Sequence, residues 1–238
     1  MKNIKKIDSY VFDERFYQSI NEEGERIYQP SVTHILSLYP KFGLSEWRGD
    51  VGNKRADEIL DETSTLGSYV HESIEHILKG EKIAQNDIQL KFKPKPALKV
   101  YRCLAAFLEW FEEYKPEVLS TEYIVWGDGY AGTIDLKCII NDEIYIVDFK
   151  TSKALYEAHK VQICAYGLVG KVDKVALLHL GNTTKKKWSF NVLKDDDREK
   201  FTNQFHSVHN LFKTLKPDAK PSEEVFPEYF TLDKKEER

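Results

Sequence analysis

Long apolar runs are missing from this chain of 238 residues, and with them the ~20-residue stretch that a membrane span requires. The first residues, Met1-Lys2-Asn3-Ile4-Lys5-Lys6-Ile7-Asp8, also lack the apolar centre of a secretory signal. A cytoplasmic protein with no membrane partner is expected. Cysteine is scarce: Cys103, Cys138 and Cys164 have no close cysteine neighbours, the usage of a reducing compartment. There is no G-x-S-x-G elbow, so a hydrolase built on Ser152 with His159 finds no support. No internal repeat is visible. An excess of basic charge is absent too, since 35 Lys and Arg face 39 Asp and Glu for a net charge of −4, which counts against a generic nucleic-acid binder.

What is present points to one elaborated globular domain over residues 1–238, because 41% hydrophobic content at this length can bury a full core. Periodicity predicts helices near 31–38, 64–79 and 97–114, then three strands between about 119 and 149. A helix at 153–169, strands near 173–180 and 186–192, and a helix over about 195–215 complete the order. The fold class is α/β, a central mixed sheet flanked by helices. An N-terminal helical elaboration spans about 28–115, the core about 116–215, and a proline- and charge-rich arm 216–238 ends in a frayed tip. Lys91, Lys93, Lys95 and Lys99, interrupted by Pro94 and Pro96, read as a basic linker, and Lys185-Lys186-Lys187 as a hairpin turn.

The most informative segment runs from Gly132-Thr133-Ile134-Asp135 to Asp148-Phe149-Lys150. Two alternating apolar runs meet at Asn141-Asp142, residue types that suit a two-residue hairpin turn. With those two residues in the turn, Ile140 faces Glu143 and Asp135 faces Asp148, with Cβ atoms about 5 Å apart. Two facing anions repel, and a divalent cation turns that repulsion into a binding site. Period two puts Asp148 and Lys150 on one face of the second strand, with Val147 and Phe149 on the other. That strand is too apolar to be a solvent-facing ribbon, and charges in a buried strand need partners or a function.

Two helical segments add polar stripes. On the helix after the acidic strand, Ala154, Ala158, Val161, Ala165 and Leu168 form the core-facing stripe, and His159, Gln162 and Tyr166 lie about 100° around it. Upstream, Val70, Ile74, Ile77 and Leu78 face the core, and His71 sits at the edge of that stripe.

In order and spacing, His71, Gly132-x-x-Asp135, Asp148-x-Lys150 and Gln162-x-x-x-Tyr166 resemble the PD-(D/E)XK nuclease superfamily, in its RecB-like and Cas4-like exonuclease branch. The stretch Tyr28-Gln29-Pro30-Ser31-Val32-Thr33-His34-Ile35-Leu36, then Trp47 and Gly67-x-x-x-His71, resembles the mitochondrial genome-maintenance exonuclease and its phage and bacterial relatives. Between them the two resemblances cover about residues 28 to 170. They imply a restriction-endonuclease-like fold and a metal-dependent DNA exonuclease acting on single-stranded ends in replication, repair or recombination. His71, Asp135, Asp148 and the Phe149 carbonyl are then ligands of Mg²⁺ or Mn²⁺, Lys150 the catalytic lysine, and Gln162 with Tyr166 the accessory helical motif. Glu122 either joins the metal site or is an edge-strand charge. Tyr28 and Trp47 are candidates to stack on bases, or core residues; Ser31 and Ser152 are further candidates to contact DNA. Some relatives carry a four-cysteine iron–sulfur cluster, and three unpatterned cysteines predict none here. Exonuclease or endonuclease, polarity, and DNA or RNA stay open, as do a silent nucleic-acid-binding scaffold and a structure-specific endonuclease.

Overall fold

The computed structural model describes residues 5–9 and 14–221. The expected frayed C-terminal tip lies outside the described residues. The chain opens with β1 (Lys5–Ser9), β2 (Glu14–Ile20) and β3 (Arg26–Pro30), an antiparallel sheet in that order. A short α1 (Val32–Ile35) runs into a 3₁₀ turn at Leu36–Leu38, and α2 (Leu44–Val51) and α3 (Asn53–Leu78) follow. The expected helix at 64–79 is thus the second half of a 26-residue helix. Next come α4 (Gln85–Lys91) and α5 (Pro94–Tyr114). The lysine-rich segment is helical rather than a linker: Lys91 closes α4, and Pro94 sits in the first turn of α5, where a missing N–H costs nothing.

The main sheet holds β4 (Glu117–Trp126), β5 (Ala131–Ile140), β6 (Glu143–Lys150), β7 (Lys174–Leu180) and β8 (Trp188–Val192), ordered as in the chain. All neighbours pair antiparallel except β6 and β7, which are parallel and joined by α6 (Glu157–Val169). The last described helix is α7 (Asp195–Leu215). The protein therefore has an α/β fold with a mixed sheet flanked by helices.

The β5–β6 hairpin turns at Asn141 and Asp142, with φ of 50° and 64°. Both are left-handed, which Asn and Asp tolerate and which matches the twist of the strands. Pairing runs Ile140↔Glu143 through Leu136↔Val147 and then stops. On one side of the sheet, α3 and α5 pack Val70, Phe107 and Trp110 onto Leu136, Val147 and Phe149. On the other, α6 and α7 pack Val161, Ala165, Phe201 and Phe205 onto Ile146, Val175 and Leu177.

Helix α6 starts later than periodicity implies. Ala154 lies outside it and is exposed, because the Ser152 hydroxyl donates to the Ala154 carbonyl at 2.7 Å and holds the preceding loop. Leu168 is 44% exposed, and Ile163, Cys164 and Gly167 are buried beside Val161 and Ala165. With α7 on one flank and the sheet on the other, α6 is covered over most of its circumference, so a single stripe does not describe it.

Candidate functional site

Beyond Leu136↔Val147 the strands β5 and β6 part. Residues 131–135 of β5 continue along β4, while 148–150 of β6 continue along β7. In the fork, Asp135 keeps the two strands tied: its Oδ2 accepts a hydrogen bond from the Phe149 amide at 2.6 Å. The expected pairing of Asp135 with Asp148 is not made: the ladder ends one position earlier, and Asp135 accepts from the Phe149 amide instead. The small β1–β3 sheet closes the other edge of the fork. Ser31 bridges to Ala131, Gln29 Nε2 donates to the Gly127 carbonyl at 3.1 Å, and the Tyr17 hydroxyl lies 2.8 Å from Thr133 Oγ1.

The resulting cleft, about 460 Å³, brings together His71, Asp135, Asp148, Lys150, Gln162 and Tyr166, and also Glu122 and Ser31. Tyr28, Trp47 and Ser152 do not line it, and neither does Phe149, which is buried in the core, so the expected carbonyl ligand is not among the cleft residues. Tyr28 pairs with Gln18, whereas Tyr17 pairs with Gln29 one position away, so the strand's alternation brings Tyr17 to the cleft and turns Tyr28 to the opposite face. Trp47 is half-buried on α2. Sequence reading missed Tyr17, Thr133 and the α3 side chains Ser64, Ser68, Glu72 and Glu75. The α3 positions carry a recoverable signal: 64, 68, 71 and 75 repeat at helical spacing alongside the buried stripe Leu66, Val70 and Ile74.

Glu122 reaches the cleft by an unusual backbone. Thr121↔Leu136 and Tyr123↔Ile134 are paired, so Glu122 is the residue that regular pairing would set against Asp135. It is instead left-handed, with φ 47°. Such strain in a non-glycine residue costs about 1–3 kcal/mol and persists where the surroundings enforce it.

The polar contacts form one network. His71 Nδ1 lies 3.1 Å from Asp135 Oδ1, and Lys150 Nζ lies 2.5 Å from Asp148 Oδ2. The second contact is ionic but off hydrogen-bond geometry, which leaves Oδ2 buried without a hydrogen bond among the described residues. Lys150 Nζ also donates to Gln162 Oε1 at 2.9 Å, and Gln162 Nε2 donates to the Tyr166 hydroxyl at 2.9 Å. These two bonds set the orientation of the Gln162 amide, because the ammonium requires the oxygen. Tyr166 lies against Gly132, where an added Cβ would run into its ring.

Burial and the neighbouring charges together set the protonation of the group. It raises Asp148 to about 6, with Asp135 adding to the rise and Lys150 opposing it. For Asp135, burial is outweighed by His71, Lys150 and the Phe149 amide, so its carboxyl falls below the usual range. For His71, burial is outweighed by Asp135 and Asp148, and its pKa rises. Tyr166 is pushed well above its ordinary value by burial and by Asp148.

The donor set, hard carboxylate oxygens with one imidazole and a buried oxygen lacking a hydrogen bond, suits Mg²⁺ or Mn²⁺. In the structure Lys150 and His71 neutralise the two carboxylates, and among the described residues no three His, Cys, Asp or Glu side chains are grouped as a ready set of ligands. A cation held by Asp135 and Asp148 would therefore compete with protons on Asp148 and His71. Below about pH 6 Asp148 is protonated and His71 is charged, and both states oppose binding; as pH rises, both lose their protons. The Mn²⁺-induced rise in melting temperature is expected to be small near pH 5 and to grow to near pH 8, measured by calorimetry at fixed ionic strength. A shift equally large at both ends would remove these residues as ligands.

No family model matches the chain, and no curated protein matches it. Among solved structures, a crystal structure of SSO0001 aligns with 62% of this chain and 74% of that one, at 12% identity and a TM-score of 0.30. A likeness that low carries no argument about family or activity, so the chain's own architecture and cleft are the basis for any functional reading.

Proposed function

We propose that the protein is a Mg²⁺- or Mn²⁺-dependent DNA exonuclease of the PD-(D/E)XK type, hydrolysing phosphodiester bonds at single-stranded ends in the cytoplasm of a bacterial or phage-infected cell. The observation that carries the reading is convergence: His71 on α3, Asp135 on β5, Asp148 and Lys150 on β6, and Gln162 and Tyr166 on α6 meet in one cleft. The same cleft holds five carboxylates, Glu72, Glu75, Glu122, Asp135 and Asp148, against a single lysine. A polyanionic strand approaches such a surface only when cations intervene. The buried free thiols Cys103, Cys138 and Cys164 suit a reducing compartment, and among the described residues no helix is long and apolar enough to cross a membrane.

Asp135, Asp148 and His71 would hold the ion, which when bound supplies Lewis acidity and neutralises charge on the phosphate. The Phe149 amide orients Asp135, and Gln162 steadies Lys150. Lys150 places its ammonium where negative charge develops on the reacting phosphate. A hydrolase using Ser152 and His159 is disfavoured: the Ser152 hydroxyl is donated to Ala154, His159 Nδ1 accepts the Tyr156 amide, and neither residue lines the cleft.

End-labelled linear single-stranded DNA is expected to be consumed with Mg²⁺ while a closed single-stranded circle survives. Affinity should fall with salt by about 0.7 log units per contacted phosphate per decade. Equal loss of the circle would make the enzyme an endonuclease, and loss of neither would leave a silent binding protein.

A further inference from the structure

We propose that Tyr156 and His159 form a nucleobase platform outside the cleft, one turn of α6 beyond Gln162, on which one unpaired base of the bound strand stacks. The inference rests on the nuclease reading of the cleft and adds to it a reason for preferring single strands. His159, Gln162 and Tyr166 share one face of α6, and along that face burial decreases toward the helix start. Tyr166 is 3% exposed, Gln162 and His159 are half-buried, and Tyr156, which caps the helix, is 53% exposed. The stripe therefore leads from Lys150 outward to an aromatic ring at the surface.

The two rings are already arranged as a corner. Their centroids are 5.4 Å apart and their planes meet at 75°. The Tyr156 amide donates to His159 Nδ1 at 3.3 Å, which places the imidazole hydrogen on Nε2, a donor suited to a base carbonyl or ring nitrogen. Burial, with the charges of Lys150 and His179, lowers His159 to about 3, so the ring is neutral at working pH and lies within electrostatic reach of the catalytic lysine.

The loop that carries Tyr156 is held before any strand arrives. Thr151 is buried, Leu155 packs on the core, the Ser152 hydroxyl donates to Ala154, and His179 Nε2 lies 2.8 Å from the Ser152 carbonyl. A preorganised aromatic surface loses little entropy on stacking. In a duplex the faces of the bases are covered by their neighbours, so such a platform serves unpaired bases and tolerates any sequence.

The test is fluorescence anisotropy on the full chain, with Ca²⁺ in place of Mg²⁺ so that strands stay intact. It compares an oligothymidylate with a strand of equal length carrying abasic positions. Wild type is expected to favour the base-bearing strand by about ten-fold. Tyr156→Ala should erase most of that preference by weakening only the base-bearing strand, and Tyr156→Phe should keep it. Tyr156 is exposed, so the variants should fold as wild type does, and melting temperatures check this. If Tyr156→Ala weakens both strands alike, or leaves the preference intact, the platform is overturned. If wild type cleaves yet shows no preference for bases, the platform falls and the nuclease reading stands. If wild type neither binds nor cleaves either strand, both fall together.

Discussion

Lys150→Ala is expected to reduce cleavage by at least about 100- to 1,000-fold, the loss typical of removing one preorganised charge from a site of reaction. The structure adds a consequence for stability. Lys150 Nζ is 2.5 Å from Asp148 Oδ2, and the Asp148 side chain is only 4% exposed. Removing the ammonium strands a buried carboxylate, which costs about 3–5 kcal/mol if it stays ionised. Asp148 should then retain its proton to a pH above about 6, where it already sits in the intact protein. The variant should accordingly melt earlier without divalent ions. Excess Mg²⁺ should restore much of the difference, since a cation replaces the ammonium, while cleavage stays lost. Calorimetry with and without Mg²⁺, beside an end-labelled strand assay, separates the two roles. Asp148→Asn should lose both cleavage and the Mg²⁺-induced shift. Turnover within ten-fold of wild type in either variant would refute the assignment.

Gly132→Ala is expected to destabilise the protein by about 1–3 kcal/mol, the usual range for overpacking, and to impair cleavage with it. Adding a methyl group to a glycine in an extended strand would ordinarily help, by restricting the unfolded chain. Here the sign is decided by Tyr166, whose ring covers Gly132 with Cδ1 and Cζ 3.1 Å from an added Cβ. The ring is buried and rigid, so it must shift. Its hydroxyl accepts from Gln162 Nε2, and Gln162 in turn accepts from Lys150, so the displacement reaches the lysine through two hydrogen bonds. A double-mutant cycle with Tyr166→Ala tests the cause. The methyl group should cost little once the ring is gone, giving a coupling energy above about 0.5 kcal/mol. An additive cycle would place the damage in the backbone.

Several features of the site were legible because short-range rules govern them. The turn at Asn141-Asp142 sets the hairpin register, since shifting a strand by one residue would turn every side chain over. Register and period two together put Asp135, Asp148 and Lys150 on one side, and helical period put Gln162 and Tyr166 on a common face. Where α6 begins was less legible, because the bond between the Ser152 hydroxyl and the Ala154 carbonyl delays the helix in a way that apolar spacing does not record.

From the sequence by itself came the α/β order of elements, the hairpin, and the acids and lysine that share a face. The tertiary structure decided how the cleft is built around them. It parted β5 from β6 beyond Leu136, turned Glu122 left-handed opposite Asp135, and laid one stripe of α3 along the opening. It also brought Tyr17 from a separate sheet to Thr133 in place of Tyr28, and left Trp47 and Ser152 outside. The physical reason is the range of the interactions. Periodicity reports which side of its own element a residue occupies, whereas the partner that side meets depends on contacts between residues far apart in the chain, such as Tyr17 and Thr133 at a separation of 116.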